Sequence, residues 1–269
     1  MAPPVPSYTK VTHTATYAGI NPAQPGLSTA GKVVLITGAS GGIGRATASS
    51  FAASGPRALI LLGRRADALG KTAAIVRDSH AQVTVQTYEA ELCDASSVRD
   101  AMNKVAAEFG GIDILIHCAG VLAPVVPLLE ADPATFLDGY KTTVVGSLVT
   151  AQAVVLANKT SFAVENPQVR LHNVHPGFLE TAMSAKLAES VKLPFAFDEI
   201  SLPADFLVWI VSPEAEFLEN KIVFSSWDVD ELKARKNEIV GGPPGTGELW
   251  LGYQGFPRFM GGQALPGTQ

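Results

Sequence analysis

One stretch constrains this chain more than any other: Val33-Val34-Leu35-Ile36-Thr37 followed at once by Gly38-Ala39-Ser40-Gly41-Gly42-Ile43-Gly44. The apolar, β-branched run reads as a strand buried on both faces. Four glycines within seven residues then form a tight turn, and a helical pattern opens over 42–54. A strand, a tight turn and a helix in that order gather free backbone N–H groups and the positive end of a helix dipole at one point. That is where a pyrophosphate binds. Gly38 and Gly42 suit the turn and a close approach, and Gly44 lets helix and strand pack tightly. Ser40 and Ile43 complete the loop. The next strand ends about 20 residues on, a context that an isolated glycine motif lacks, so the loop reads as dinucleotide-binding. The competing reading, an ordinary β–α turn, does not call for so many glycines.

The pattern repeats downstream. Ala58–Leu62, Val83–Thr87 and Ile112–Ile116 read as further strands, with helical stretches at 42–54, 66–78 and 95–109 between them. Such alternation predicts an α/β fold, a Rossmann-type doubly wound parallel sheet. A helix near 132–158, a strand at Val169–Val174, helices near 181–191 and 203–211 and a last strand at Lys221–Ser225 continue it. Residues 1–31 carry no period and read as an extended N-terminal arm, 32–240 as the nucleotide-binding domain, and the Gly/Pro-rich stretch 241–269 as a loop-like tail.

Where the second strand ends stands Gly63-Arg64-Arg65. An acidic residue there would accept from a ribose 2′-hydroxyl, whereas a guanidinium binds a 2′-phosphate. Arg64 therefore predicts NADP(H) as the cofactor. Net charge is −5, from 20 Lys and Arg against 25 Asp and Glu. With no basic cluster to release counterions, this argues against nucleic acid. No apolar run of membrane-spanning length stands out, and the N-terminus lacks the charged and apolar regions of a signal peptide. Two cysteines, Cys93 and Cys118, stand at no metal-ligand spacing and fit a reducing, cytoplasmic setting. The expected partner is a small-molecule substrate, with no metal, no nucleic acid and no membrane, and the oligomeric state is left open. Asn158-Lys159-Thr160 is formally a glycosylation sequon, with no secretory signal to make use of it.

Thr37-Gly-x-x-x-Gly-x-Gly44 on this sheet pattern resembles the short-chain dehydrogenase/reductase family, and further matches follow in order over about 30–235. Asp94 corresponds to the family's adenine-contacting Asp. His117-Cys118-Ala119-Gly120 corresponds to its Asn-Asn-Ala-Gly, with both Asn replaced. Gly146 matches the glycine of Asn-x-x-Gly, with Thr143 in place of the Asn. Pro176-Gly177-Phe178-Leu179-Glu180-Thr181 matches the loop that embraces the nicotinamide. The style is that of filamentous-fungal members. The resemblance thus implies cofactor contacts at Cys118, Ala119, Gly120, Pro176, Gly177, Leu179 and Thr181, and an oxidoreductase acting on a carbonyl or alcohol.

The family's chemistry uses a Ser and a Tyr-x-x-x-Lys pair, and both are missing here. Four residues beyond the five tyrosines stand Thr12, Asn21, Leu92, Val144 and Pro257. Tyr140-Lys141 cannot substitute, because helix neighbours point apart. From Gly120 to Pro176 there are only 56 residues, so one strand and one helix, roughly 35–45 residues, are missing. Phe162–Pro167 reads as the end of a second helix joined directly to the one before it. The catalytic residues are therefore unassigned, and three readings follow. The chain belongs to an oxidoreductase but lacks its catalytic segment; it is an inactive NADP-binding or scaffold protein; or Ser184, His175 or Tyr140 carries the proton. Met183, Leu187, Leu193, Phe195 and Phe197 suggest a small hydrophobic metabolite, the resemblance to fungal members implies a place in secondary metabolism, and a parallel order 3-2-1-4 followed directly by Val169–Val174 is expected. Trp209 reads as a core aromatic. Asp228, Asp230 and Glu231 read as a solvated turn.

Overall fold

The computed structural model describes residues 7–158, 169–190, 196–241 and 248–249, and the backbone of 259–260 and 263–264. Four parallel strands, β1 (Val33–Thr37), β2 (Ala58–Gly63), β3 (Thr84–Glu89) and β4 (Ile114–His117), make a sheet of order β3-β2-β1-β4. Helices α1 (Gly42–Ala53), α2 (Ala66–Ser79) and α3 (Ala95–Phe109) alternate with them, and the long α4 (Pro133–Ala157) follows. Alternate strand residues serve two cores. Val34, Ile36, Leu59 and Leu61 pack with Phe51, Phe206 and Trp209 on one face. Val33, Leu35, Ile60 and Leu62 pack with Val98, Met102 and Val105 on the other. Trp209 is fully buried, as its apolar helix predicts.

The sheet does not continue as expected. β5 (Asn173–His175) pairs in parallel with β6 (Ile222–Phe224) as a separate two-stranded sheet and makes no ladder with β4. Among the described residues no strand lies between them. The direct β4–β5 junction is thus corrected. Closing the slot would shift one half by a strand spacing of about 4.8 Å, and side-chain packing opposes that shift. α6 (Ser201–Ile210) packs on α1, and its buried Asp205 accepts from Ser50 Oγ at 2.6 Å and from Thr16 Oγ1 at 2.5 Å. β5 is also shorter than predicted, because β6, its partner among the described residues, offers three residues.

Three further expectations change. The arm has no long element, but it is not loose: Ile20 and Leu27 are buried in the core, and His13 Nε2 lies 2.9 Å from Asp228. Isolated apolar anchors without period give no sequence signal. Asp228 consequently caps α7 (Val229–Ala234) and pairs with the arm instead of lying free in solvent. In the tail, Phe259–Met260 pairs antiparallel with Gln263–Ala264 where loop was predicted. Phe162–Pro167, and Lys159 and Thr160 of the sequon, lie outside the described residues. Asn158 is engaged, accepting from Ile112 N and donating to Ile112 O.

α4 is 25 residues long with a window of mean hydropathy 1.2, so by length and composition it could cross a membrane. The sequence reading missed this because polar residues interrupt the run. Gly146, Thr150, Ala153 and Val154 are buried, while Leu137, Val144, Leu148 and Leu156 stay exposed.

Candidate functional site

The glycine loop has the form its sequence requires. Gly38 and Gly42 adopt φ of +66° and +50°, left-handed values that disfavour a side chain. A Cβ at Gly38 would lie 2.9 Å from Ala119 Cα, and one at Gly44 only 2.5 Å from Gly38 O. Backbone therefore meets backbone where β1, β4 and α1 converge, and any side chain would fill the cradle. Gly41, the N-cap of α1, supplies no side-chain cap, so the first N–H groups of the helix have no side-chain partner there. Arg45 holds the loop from behind, donating to Ser40 O at 2.8 Å and to Thr72 Oγ1 at 3.1 Å. These residues fit a dinucleotide pyrophosphate.

The other cofactor residues predicted from sequence fall around this cradle. Ala119 N donates to Thr37 Oγ1 at 3.2 Å, which holds Cys118-Ala119-Gly120 against Gly38. Burial pushes the Cys118 thiol up to about 11, so it stays protonated. From the second sheet, Thr181 Cγ2 stands 3.6 Å from the Cβ position of Gly42. The Pro176–Thr181 loop thus faces the start of α1. Gly177 (φ +85°) lies against Asp198, and Leu179 bridges to Asp198 and is buried. Ile43 is half-buried on the first turn of α1. At the tip of β2, Arg64 Nη1 lies 3.5 Å from Glu91 Oε2. Asp94 stands at the start of α3. Its carboxylate N-caps α3; the bond from Ser96 Oγ at 2.6 Å, with those from Ser97 N and Ser96 N, holds it below the usual carboxylate range. Glu91 is the carboxylate beside Arg64, which the sequence reading missed; its Oε1 also accepts from Cys93 N at 3.5 Å.

The catalytic half is built differently. His117 bridges β1 and α4, with Nδ1 3.1 Å from Thr37 Oγ1 and Nε2 3.0 Å from Ser147 Oγ. Thr37 already accepts from Ala119 N, and Ser147 donates to Thr143 O. With both ends fixed, the neutral Nε2–H tautomer satisfies every contact. Burial lowers the His117 pKa and keeps it neutral. Sequence spacing could not reveal this chain, since it joins three separate segments. Thr143 Oγ1 accepts from Val121 N at 3.5 Å.

The three candidate proton carriers are in different situations. Ser184 forms a reciprocal capping box with Thr181 at the start of α5 (Ala182–Ala188). Tyr140 is half exposed and leans on Phe136, with ring centroids 5.0 Å apart. His175 ends β5, stacks on Phe224 at 4.4 Å and accepts from Gly177 N at Nδ1; burial keeps its pKa low. Tyr8, Tyr17 and Tyr88 bond to Glu248, to Trp227 O and to Glu108, and Tyr253 lies outside the described residues. No described tyrosine has a lysine one helical turn away. Met183 and Phe197 are exposed near the Pro176–Thr181 loop, while Leu193 and Phe195 lie outside the described residues.

Comparison with known proteins agrees with this geometry. A family model, short chain dehydrogenase, matches residues 32–161. The short chain dehydrogenase citE of Monascus ruber is 29% identical, over 89% of this chain and 96% of its own. A short chain dehydrogenase/reductase of Claviceps purpurea is 28% identical, over 88% of this chain and 91% of its own. The citE alignment runs over 283 positions, more than the 269 residues of this chain, so that relative carries residues with no counterpart here. A short chain dehydrogenase from Shigella flexneri, solved in complex with NADP, superposes with a TM-score of 0.66 at 20% identity. That superposition covers 75% of this chain and 99% of the other. The glycine cradle, the strand order on its side of the slot and these fungal relatives point the same way: residues 32–161 match the short chain dehydrogenase family, and the chain as a whole is similar to its members.

Proposed function

We propose that this protein binds NADP(H) in its glycine cradle and transfers hydride to or from substrates poorly, if at all. The observation that carries the reading is the contrast between the two halves. The cradle of Gly38, Ser40, Gly42, Ile43 and Gly44 is intact, while no described Tyr–Lys pair stands near it. A bound nicotinamide would supply the hydride. The chain's own residues that would hold it are Ala119-Gly120 on one side and Pro176–Thr181 on the other. An acid–base group positioned at the substrate oxygen contributes about 10²–10⁴-fold, and the residues that would do so in the family are absent. The fungal short chain dehydrogenases it resembles support a carbonyl or alcohol as the reacting group, and the exposed Met183 and Phe197 support a small hydrophobic substrate. A cytoplasmic setting follows from the same reading.

His175 favours a second reading, a residual oxidoreductase. Its Nδ1 accepts from Gly177 N, so the neutral ring carries its proton on Nε2. Titration calorimetry with NADPH and NADH tests the binding reading. NADPH is expected to bind more tightly, and Arg64→Ala should cut its affinity about tenfold, the scale of a charge-assisted phosphate contact. Equal affinities, or no change on Arg64→Ala, would overturn the assignment of NADP(H).

A further inference from the structure

We infer that Glu91 sets the cofactor preference of this site by competing with the ribose 2′-phosphate for Arg64. The inference rests on the binding reading above and goes beyond it to a residue of opposite charge. Four polar side chains ring the end of β2. Ser40 Oγ lies 3.6 Å from the Cβ position of Gly63, and Arg65 Nη2 lies 3.9 Å from that of Gly41. Arg64 Nη1 reaches across to Glu91 Oε2 at 3.5 Å. The backbone fixes Glu91 beside this point. Ala90 N donates to Gly63 O at 3.0 Å, tying the end of β3 to the end of β2, and Asp94 N donates to Glu91 O at 2.9 Å.

In a doubly wound fold the adenosine ribose lies just past the end of the second strand. A 2′-hydroxyl arriving there can donate to the Glu91 carboxylate and leave the Arg64–Glu91 pair in place. A 2′-phosphate must take Arg64 away from Glu91, and it then faces a carboxylate of its own sign within a Debye length of about 8–10 Å. Arg64 and Arg65 favour the phosphate, and Glu91 opposes it. The site therefore discriminates between NADP(H) and NAD(H) less than two arginines alone would.

The test compares adenosine 2′,5′-bisphosphate with 5′-AMP, nucleotides that differ only in the 2′-phosphate. Affinities are measured by calorimetry on the full chain, wild type against Glu91→Gln, Arg64→Ala and the double variant. Glu91 is exposed and its Gln replacement isosteric; an unchanged thermal midpoint verifies the fold. Glu91→Gln is expected to raise the preference for the bisphosphate about two- to fivefold, the scale of an exposed ion pair. The gain should shrink in the Arg64→Ala background and at 0.5 M salt. A preference within 1.5-fold of wild type, or equal tightening of both nucleotides, overturns the role of Glu91. If wild type binds neither nucleotide, the cradle reading itself falls and the role of Glu91 with it.

Discussion

A single methyl group tests the glycine cradle. At Gly44 the new Cβ would collide with Gly38 O at 2.5 Å, backbone against side chain with no flexible partner to yield. Gly44→Ala is therefore expected to cost about 1–3 kcal/mol in urea unfolding, the usual scale of overpacking, and to abolish NADPH binding. An unfolding midpoint equal to that of wild type would contradict the packing described. His117 gives the second residue-scale prediction. Burial depresses its folded pKa below the ordinary 6.5, and the same holds for His172 and His175. Below pH 6.5 the unfolded chain then binds protons that the folded chain refuses, so stability present above 6.5 is lost as pH falls through the folded values. Unfolding midpoints should decline from pH 7.5 to 5.5, and His117→Asn should flatten that decline; an unchanged slope would exclude His117 as a contributor. Asp94 makes the third. Asp94→Asn, which retains a cap, should leave the thermal midpoint nearly unchanged, whereas Asp94→Ala should lower it; both should leave NADPH affinity within twofold. A selective loss of affinity in either variant would return Asp94 to the cofactor. The glycines were legible because turn geometry dictates residue type locally. Glu91 and the His117 chain were not, because contacts between segments leave no mark in spacing.

At the scale of elements, the sequence places β1 to β4 and the first four helices within a few residues of their observed ends. There apolar runs and helical periods coincide with caps such as Asp94 and Asp132. The slot between β4 and β5 was not legible as such. A missing strand can be closed over or left open, and the choice falls to α6 packing on α1, some 150 residues away in sequence. The consequence is measurable. All five residues of β1 are buried, whereas Ile114, Leu115 and His117 of β4 are only partly buried. Backbone amides of β4 and β5 are expected to exchange with deuterium markedly faster than those of β1 and β2. Equal protection across all six strands would mean that the two sheets behave as one. The exposed side chains of α4 belong to the same picture, since the strand and helix that resemblance leads one to expect beyond it are not in the sequence.

The whole molecule is a cofactor-binding half held in register with a second sheet that carries the Pro176–Thr181 loop. The buried Asp205 link and the anchored arm join the two across the slot. The similarity to short chain dehydrogenases was legible from motifs distributed over most of the chain. The arm's anchoring was not, because Ile20 and Leu27 stand alone in a polar, proline-containing stretch. The proposed binding without efficient turnover rests on this division of the molecule, and stopped-flow oxidation of NADPH tests it most directly. Folded protein that binds NADPH would be mixed with a panel of quinones, ketones and aromatic aldehydes, alongside His175→Ala as a control. The account predicts that NADPH absorbance stays flat, or decays far more slowly than an ordinary enzyme's ~1–10 s⁻¹. Turnover in that range with any member of the panel would contradict it.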